Sequence, residues 1–136
     1  MRGGEVIELI SDLGGGKTTF TRGLARGFGS SDKVASPTFT ISKVYQDGKG
    51  REMHHFDFYR LPEAGLIAAE LADVLGDPSV ILVVEWAGIV QDVLPKERLT
   101  ITLQKTPEDQ RIIALTAPQA LAYLVESAQT AQEAQK

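Results

Sequence analysis

Residues 11–18 read Ser-Asp-Leu-Gly-Gly-Gly-Lys-Thr, between an apolar-rich run from Val6 to Ile10 and a helical pattern from Thr18 to Phe28. Strand, glycine loop, Gly-Lys-Thr and helix in that order is the context of a phosphate-binding P-loop. The glycines let backbone N–H groups turn inward around an anion, Lys17 can reach the outer phosphates, and the Thr18 hydroxyl can hold Mg²⁺. The helix that begins here adds the positive end of its dipole. The expectation is a nucleoside triphosphate site. The pattern's first glycine is replaced by Ser11, which is small enough if φ stays negative. A chance glycine turn before Lys-Thr is the competing reading, and both flanks argue against it.

The rest of the chain completes an α/β pattern. Glu5 to Ile10 reads as a strand, and Lys17 to Phe28 as a helix with Phe20, Leu24 and Phe28 on one face, ended by Gly27 and Gly29. Ser30 to Pro37 is a loop. Phe39 to Tyr45 and Arg51 to Phe58 read as a hairpin around Asp47-Gly48-Lys49-Gly50. Pro62 opens a helix whose apolar positions Leu66, Ile67, Leu71, Val74 and Leu75 run to Gly76. Val80 to Glu85, a continuous apolar run ending in a carboxylate, fits a buried parallel strand. A short helix over Ile89 to Leu94, strands at Arg98 to Gln104 and Arg111 to Thr116 around a Thr-Pro-Glu-Asp turn, and a terminal helix from Ala117 to about Gln135 follow. That helix loses its apolar period from Gln129 and is expected to fray. The expected fold is a P-loop NTPase-like three-layer α/β sandwich, one domain over residues 1–136, with a mixed, partly antiparallel sheet. P-loop folds often carry an element ahead of the phosphate strand; only Met1-Arg2-Gly3-Gly4 precede Glu5, so the start reads as truncated.

Composition narrows the function classes. The chain has 136 residues, 43% hydrophobic and 24% charged, which suits a soluble domain with its own core. A net charge of −4 with no basic stripe argues against strong autonomous nucleic-acid binding. The absence of cysteine excludes disulfides and thiolate metal sites and suits a reducing cytoplasm, the expected location. Val80 to Val84, the longest apolar run, is too short to span a bilayer, and no signal peptide is legible.

A P-loop needs acidic and hydroxyl partners, which in α/β sheets sit at the carboxyl ends of strands. Asp57, Glu85 and Thr38 meet that rule. Their structural alternatives are a strand-end cap, an ion pair and a residue favoured for β-propensity, respectively. His54 and His55 are adjacent on a strand and point to opposite faces, so they cannot share one metal; surface or core histidines are expected. Trp86 borders the site or packs in the core. Tyr59 and Arg60 either reach a phosphate or partner, or stay solvated.

Taken together, Asp12 to Phe20, Ser36-Pro37-Thr38-Phe39, His55 to Leu61 and Glu85-Trp86 resemble the TsaE (YjeE) family in the family's order. The resemblance implies a small bacterial ATPase needed for threonylcarbamoyladenosine in tRNA. It implies ATP and Mg²⁺ as cofactors and two larger partners: an actin-like-fold transferase subunit and its pseudo-enzyme relative, with tRNA engaged indirectly. It also implies that ATP turnover resets that complex between rounds. Carried over by motif, Leu13, Gly14, Gly15, Gly16, Lys17, Thr18 and Thr19 frame the phosphates. Thr18 and Glu85 hold Mg²⁺, Thr38 is switch-like, Asp57 positions water, and Trp86 lies at the site. Ser11, Gly15 (where alanine is common) and the missing leading helix depart from the family pattern.

Competing classes are weaker. A small GTPase would use Asn-Lys-x-Asp, and the chain has no asparagine. A small-molecule kinase would need an acceptor site and an arginine-rich lid, neither of which is legible between Gly76 and Lys105. A nucleotide-binding regulatory module without turnover is the non-enzymatic alternative, against which Asp57 and Glu85 argue.

Overall fold

The computed structural model describes residues 3–11, 17–31, 42–58, 65–108 and 110–126. The strands are β1 (Val6–Ser11), β2 (Ser42–Gln46), β3 (Glu52–Asp57), β4 (Val80–Glu85), β5 (Leu99–Lys105) and β6 (Arg111–Thr116). The helices are α1 (Lys17–Phe28) and α2 (Gly65–Val74), with 3₁₀ turns at Ala87–Val90 and Gln119–Leu121.

The six strands form one sheet in the order β2-β3-β4-β1-β5-β6. Strands β3, β4, β1 and β5 are mutually parallel, and β2 and β6 add antiparallel edges. The unbroken apolar run of β4 now has its reason: the strand lies between β3 and β1 and all six of its residues are buried. Against one face pack Ala25 and Phe28 of α1, with Leu121 and Tyr123 near the end of the chain, over Ile7, Leu9, Ile81, Val83 and Ile101. Against the other pack Leu71 of α2 and Ala87, Val90 and Leu94, over Val6, Phe56, Leu82 and Val84. This is the expected three-layer arrangement. Truncating Ile81, which is 0% exposed, to alanine would cost about 2–5 kcal/mol.

The helix that follows the glycine loop is fixed at its far end. The Ser30 N–H donates to Ala25 O at 2.9 Å and the Gly29 N–H to Arg26 O at 3.0 Å, a Schellman closure that needs the positive φ of Gly29, 104°. Gly27, expected to help end α1, lies within it. Arg51 reaches over from the hairpin turn, donating to Phe28 O at 3.3 Å with its guanidinium 4.9 Å above the Phe28 ring. Asp47 holds Arg51 Nε at 2.8 Å and accepts the Lys49 N–H at 2.7 Å, which folds the turn.

Two expectations are corrected. The segment expected as a helix over Ile89 to Leu94 is instead a 3₁₀ turn at Ala87–Val90 followed by bonds from the Val93 and Leu94 N–H groups to Val90 O; Pro95 leaves no room for a longer helix. The terminal helix does not start at Ala117. Pro118 keeps that stretch extended, the 3₁₀ turn Gln119–Leu121 follows, and α-helix begins at residue 122.

Candidate nucleotide site

Parallel register brings the sequence-chosen carboxylates together. Asp57 and Glu85 are direct partners at the carboxyl ends of β3 and β4, and Glu85 is level with Leu9 of β1. Strand β1 continues two residues further, to Ser11, and α1 begins at Lys17. Thus the end of β1 lies beside the strand ends that carry the two acids, where the carboxyl-end rule places a ligand site. Lys17 and Thr18 lie in the first turn of α1, and Thr19 is exposed there. Leu13, Gly14, Gly15, Gly16, Thr38, Tyr59 and Arg60 lie outside the described residues, as do the side chains of Lys17 and Thr18.

Glu85 is 3% exposed. Removing a carboxylate from water costs several kcal/mol unless it is paired and hydrogen-bonded. Here His55 Nε2 lies 2.8 Å from Glu85 Oε2. Glu85 Oε1 is buried without a hydrogen-bond partner among the described residues, as are His55 Nδ1 and Thr21 Oγ1. All three atoms belong to side chains in the layer between α1 and the sheet. A buried carboxylate oxygen without a donor is a costly feature in a folded chain and suits a cation or a cation-bound water. The residues at this rim therefore fit a divalent ion. Asp57 is half-buried at the same level.

Trp86, for which core packing was an alternative, is 38% exposed. It takes a left-handed conformation, φ 56° and ψ 49°, the sole non-glycine positive φ among the described residues. With Ile10, Ser11 and Glu8 it lines a cavity of about 250 Å³ beside the end of β1. A bulky residue held there carries strain of about 1–2 kcal/mol, which turns the chain sharply away directly after Glu85.

Two buried pairings near the site were missed. His55 was expected to be a surface or core histidine rather than a metal ligand; it is core, with its Nε2 2.8 Å from Glu85 Oε2. Glu8 was hidden in the apolar run of β1. It is buried, with Arg98 Nε 3.0 Å and Gln91 Nε2 3.3 Å from its Oε2. Parallel register could not be read from periodicity, so neither partner was visible. The adjacent His54 faces the other way and reaches Glu52 at 3.3 Å.

The parallel core with antiparallel edges, and a helix α1 that opens on Lys17-Thr18, is that of a P-loop NTPase-like α/β protein. The solved structure of YdiB from Bacillus subtilis matches with a TM-score of 0.75 at 34% identity, covering 97% of this chain and 81% of that one. The model of the family described as threonylcarbamoyl adenosine biosynthesis protein TsaE matches residues 1–113, and the chain belongs to that family. The tRNA threonylcarbamoyladenosine biosynthesis protein TsaE of Bacillus subtilis is 42% identical over 115 residues, 84% of this chain and 70% of the relative. The protein of the same name in Streptomyces coelicolor is 38% identical over 113 residues, 80% and 74% of the two chains. No helix among the described residues is long and apolar enough to cross a membrane.

Proposed function

We propose that this chain is the Mg²⁺-dependent ATP-binding and ATP-hydrolysing subunit of tRNA threonylcarbamoyladenosine synthesis. The observation that supports the reading is the register pair Asp57–Glu85 near the end of β1, with one Glu85 oxygen buried and without a partner among the described residues. Lys17 and the backbone of Leu13 to Gly16 bind the phosphates, and Thr18 and Glu85 hold the metal. A divalent ion held by these residues would offset the negative charge of the phosphates. Asp57 orients the attacking water, Thr38 contacts the γ-phosphate side, and Trp86 flanks the nucleotide.

The chain acts in the cytoplasm by resetting a complex of an actin-like-fold transferase subunit and its pseudo-enzyme relative, which hold the tRNA. Those partners supply a missing cation for the transition state, worth ~10³-fold or more in rate. Arg60 is this chain's own candidate for that cation. The test is phosphate release from ATP by the parent and by Lys17→Ala, each alone and with both partners and tRNA. We expect slow release by the parent alone, a large rise with partners, and none from Lys17→Ala. Release by Lys17→Ala at the parent rate would overturn the reading, and an equal parent rate with and without partners would overturn partner dependence.

A further inference from the structure

The bond between His55 and Glu85 joins two side chains that are 1% and 3% exposed on neighbouring parallel strands. An ionised carboxylate only accepts hydrogen bonds, so the imidazole donates through Nε2–H, at 2.8 Å to Oε2. The terminal torsion of a glutamate is broad and two-fold, and nothing intrinsic to the residue selects one oxygen over the other. The histidine makes that selection: Oε2 is committed to the ring and Oε1 is left as the buried oxygen without a partner among the described residues. A pair kept only for packing would have no reason to leave a buried acceptor without a partner among the described residues, where that is costly.

We propose that His55 is a positioning residue: its Nε2–H fixes the Glu85 carboxylate so that Oε1 is the oxygen offered to the metal–nucleotide complex. The proposal rests on reading Glu85 as part of the Mg²⁺ shell. It assigns His55 no contact with substrate and no proton transfer. Groups that orient metal-binding side chains typically change metal affinity by about 10–100-fold when removed.

The test is ATP affinity by calorimetry, with Mg²⁺ and with a chelator, at one pH, for the parent, His55→Leu and His55→Gln. Leucine fills much of the ring's space without a donor, and the glutamine amide N–H reaches about where Nε2 lies. The Mg²⁺-dependent gain in affinity is expected to fall ~10–100-fold in His55→Leu and to recover in large part in His55→Gln. Affinity in chelator, which reports an intact phosphate site, should stay within about 2-fold of the parent. An unchanged Mg²⁺ gain in His55→Leu, or an equal loss in His55→Gln, would overturn the role. If the parent itself shows no Mg²⁺ gain, the metal–nucleotide reading falls and this proposal with it; a parent gain that His55→Leu retains removes the His55 role alone. Imidazole ¹⁵N spectra of the parent give an independent reading should His55→Leu not fold. A proton on Nε2 is expected, and a neutral ring protonated at Nδ1 alone would overturn the proposal.

Discussion

Two glutamates sit at nearly the same level on adjacent strands and face opposite sides of the sheet. Glu8 of β1 is in register with Val84, one residue before Glu85 of β4. Both are buried, at 7% and 3% exposure. Glu8 meets a cation: Arg98 binds it at 3.0 Å, and the same guanidinium donates to Gln91 Oε1 at 2.6 Å and Pro95 O at 2.9 Å. The network ties the β4–β5 crossover to the sheet centre and leaves no Glu8 atom among the orphaned buried ones. Among the described residues Glu85 meets an imidazole alone, on one oxygen, and the next residue is strained. Equal burial thus hides unequal completion. Glu8 has what a structural carboxylate needs, whereas Glu85 is held among the described residues at a cost, the pattern expected of a functional position.

The largest effect on the structural side comes from breaking the Glu8 network. Arg98→Met keeps bulk but strands a buried carboxylate, and should lower stability by about 2–3 kcal/mol in denaturant titration while leaving ATP affinity unchanged. A variant as stable as the parent, or one that loses nucleotide affinity while still folded, would erase the distinction between the two acids.

A smaller effect sharpens the Glu85 side. At Trp86 the left-handed backbone should invert the usual order of alanine and glycine, with Trp86→Gly more stable than Trp86→Ala by about 1 kcal/mol. The reverse order in thermal melts would show that no strain is held there.

The smallest effect concerns a third carboxylate, at the opposite end of β3. The hydrogen bond from the Arg51 side chain holds Asp47 below its ordinary 3.8, with the Lys49 and Arg51 backbone N–H groups adding to it against the cost of desolvation. As pH falls the unfolded chain takes up this proton first. The contribution to stability is therefore complete above about pH 4 and is lost as pH drops through the depressed folded value. Asp47→Asn should flatten that part of the acid limb in melts run from about pH 5 to about pH 2.5. An unchanged slope would contradict it.

Much of this was legible in the chain because local rules and the global fold agree. The run Val80 to Val84 announced a strand covered on both faces, and the glycine run before Lys17 announced where α1 begins. Asp57 and Glu85 stood out because each closes a strand, and the register sets them side by side. What stayed hidden depended on register across non-consecutive strands. Nothing in the sequence says that His55 lies beside Glu85 or that Arg98 reaches back to Glu8, since β3, β4 and β1 are neighbours only once the crossovers are made. The helix expected over Ile89 to Leu94 failed for a local reason: the apolar spacing was right, but Pro95 follows too closely.

The contrast between the two glutamates is tested most directly by phosphate release from Mg²⁺-ATP, with the partner subunits and tRNA present, for Glu85→Gln and Glu8→Gln side by side. The account predicts that Glu85→Gln loses on the order of 10²-fold or more in turnover, and that Glu8→Gln melts earlier but turns over at the parent rate. Parent-rate turnover by Glu85→Gln, or an equal loss in both variants, would contradict it.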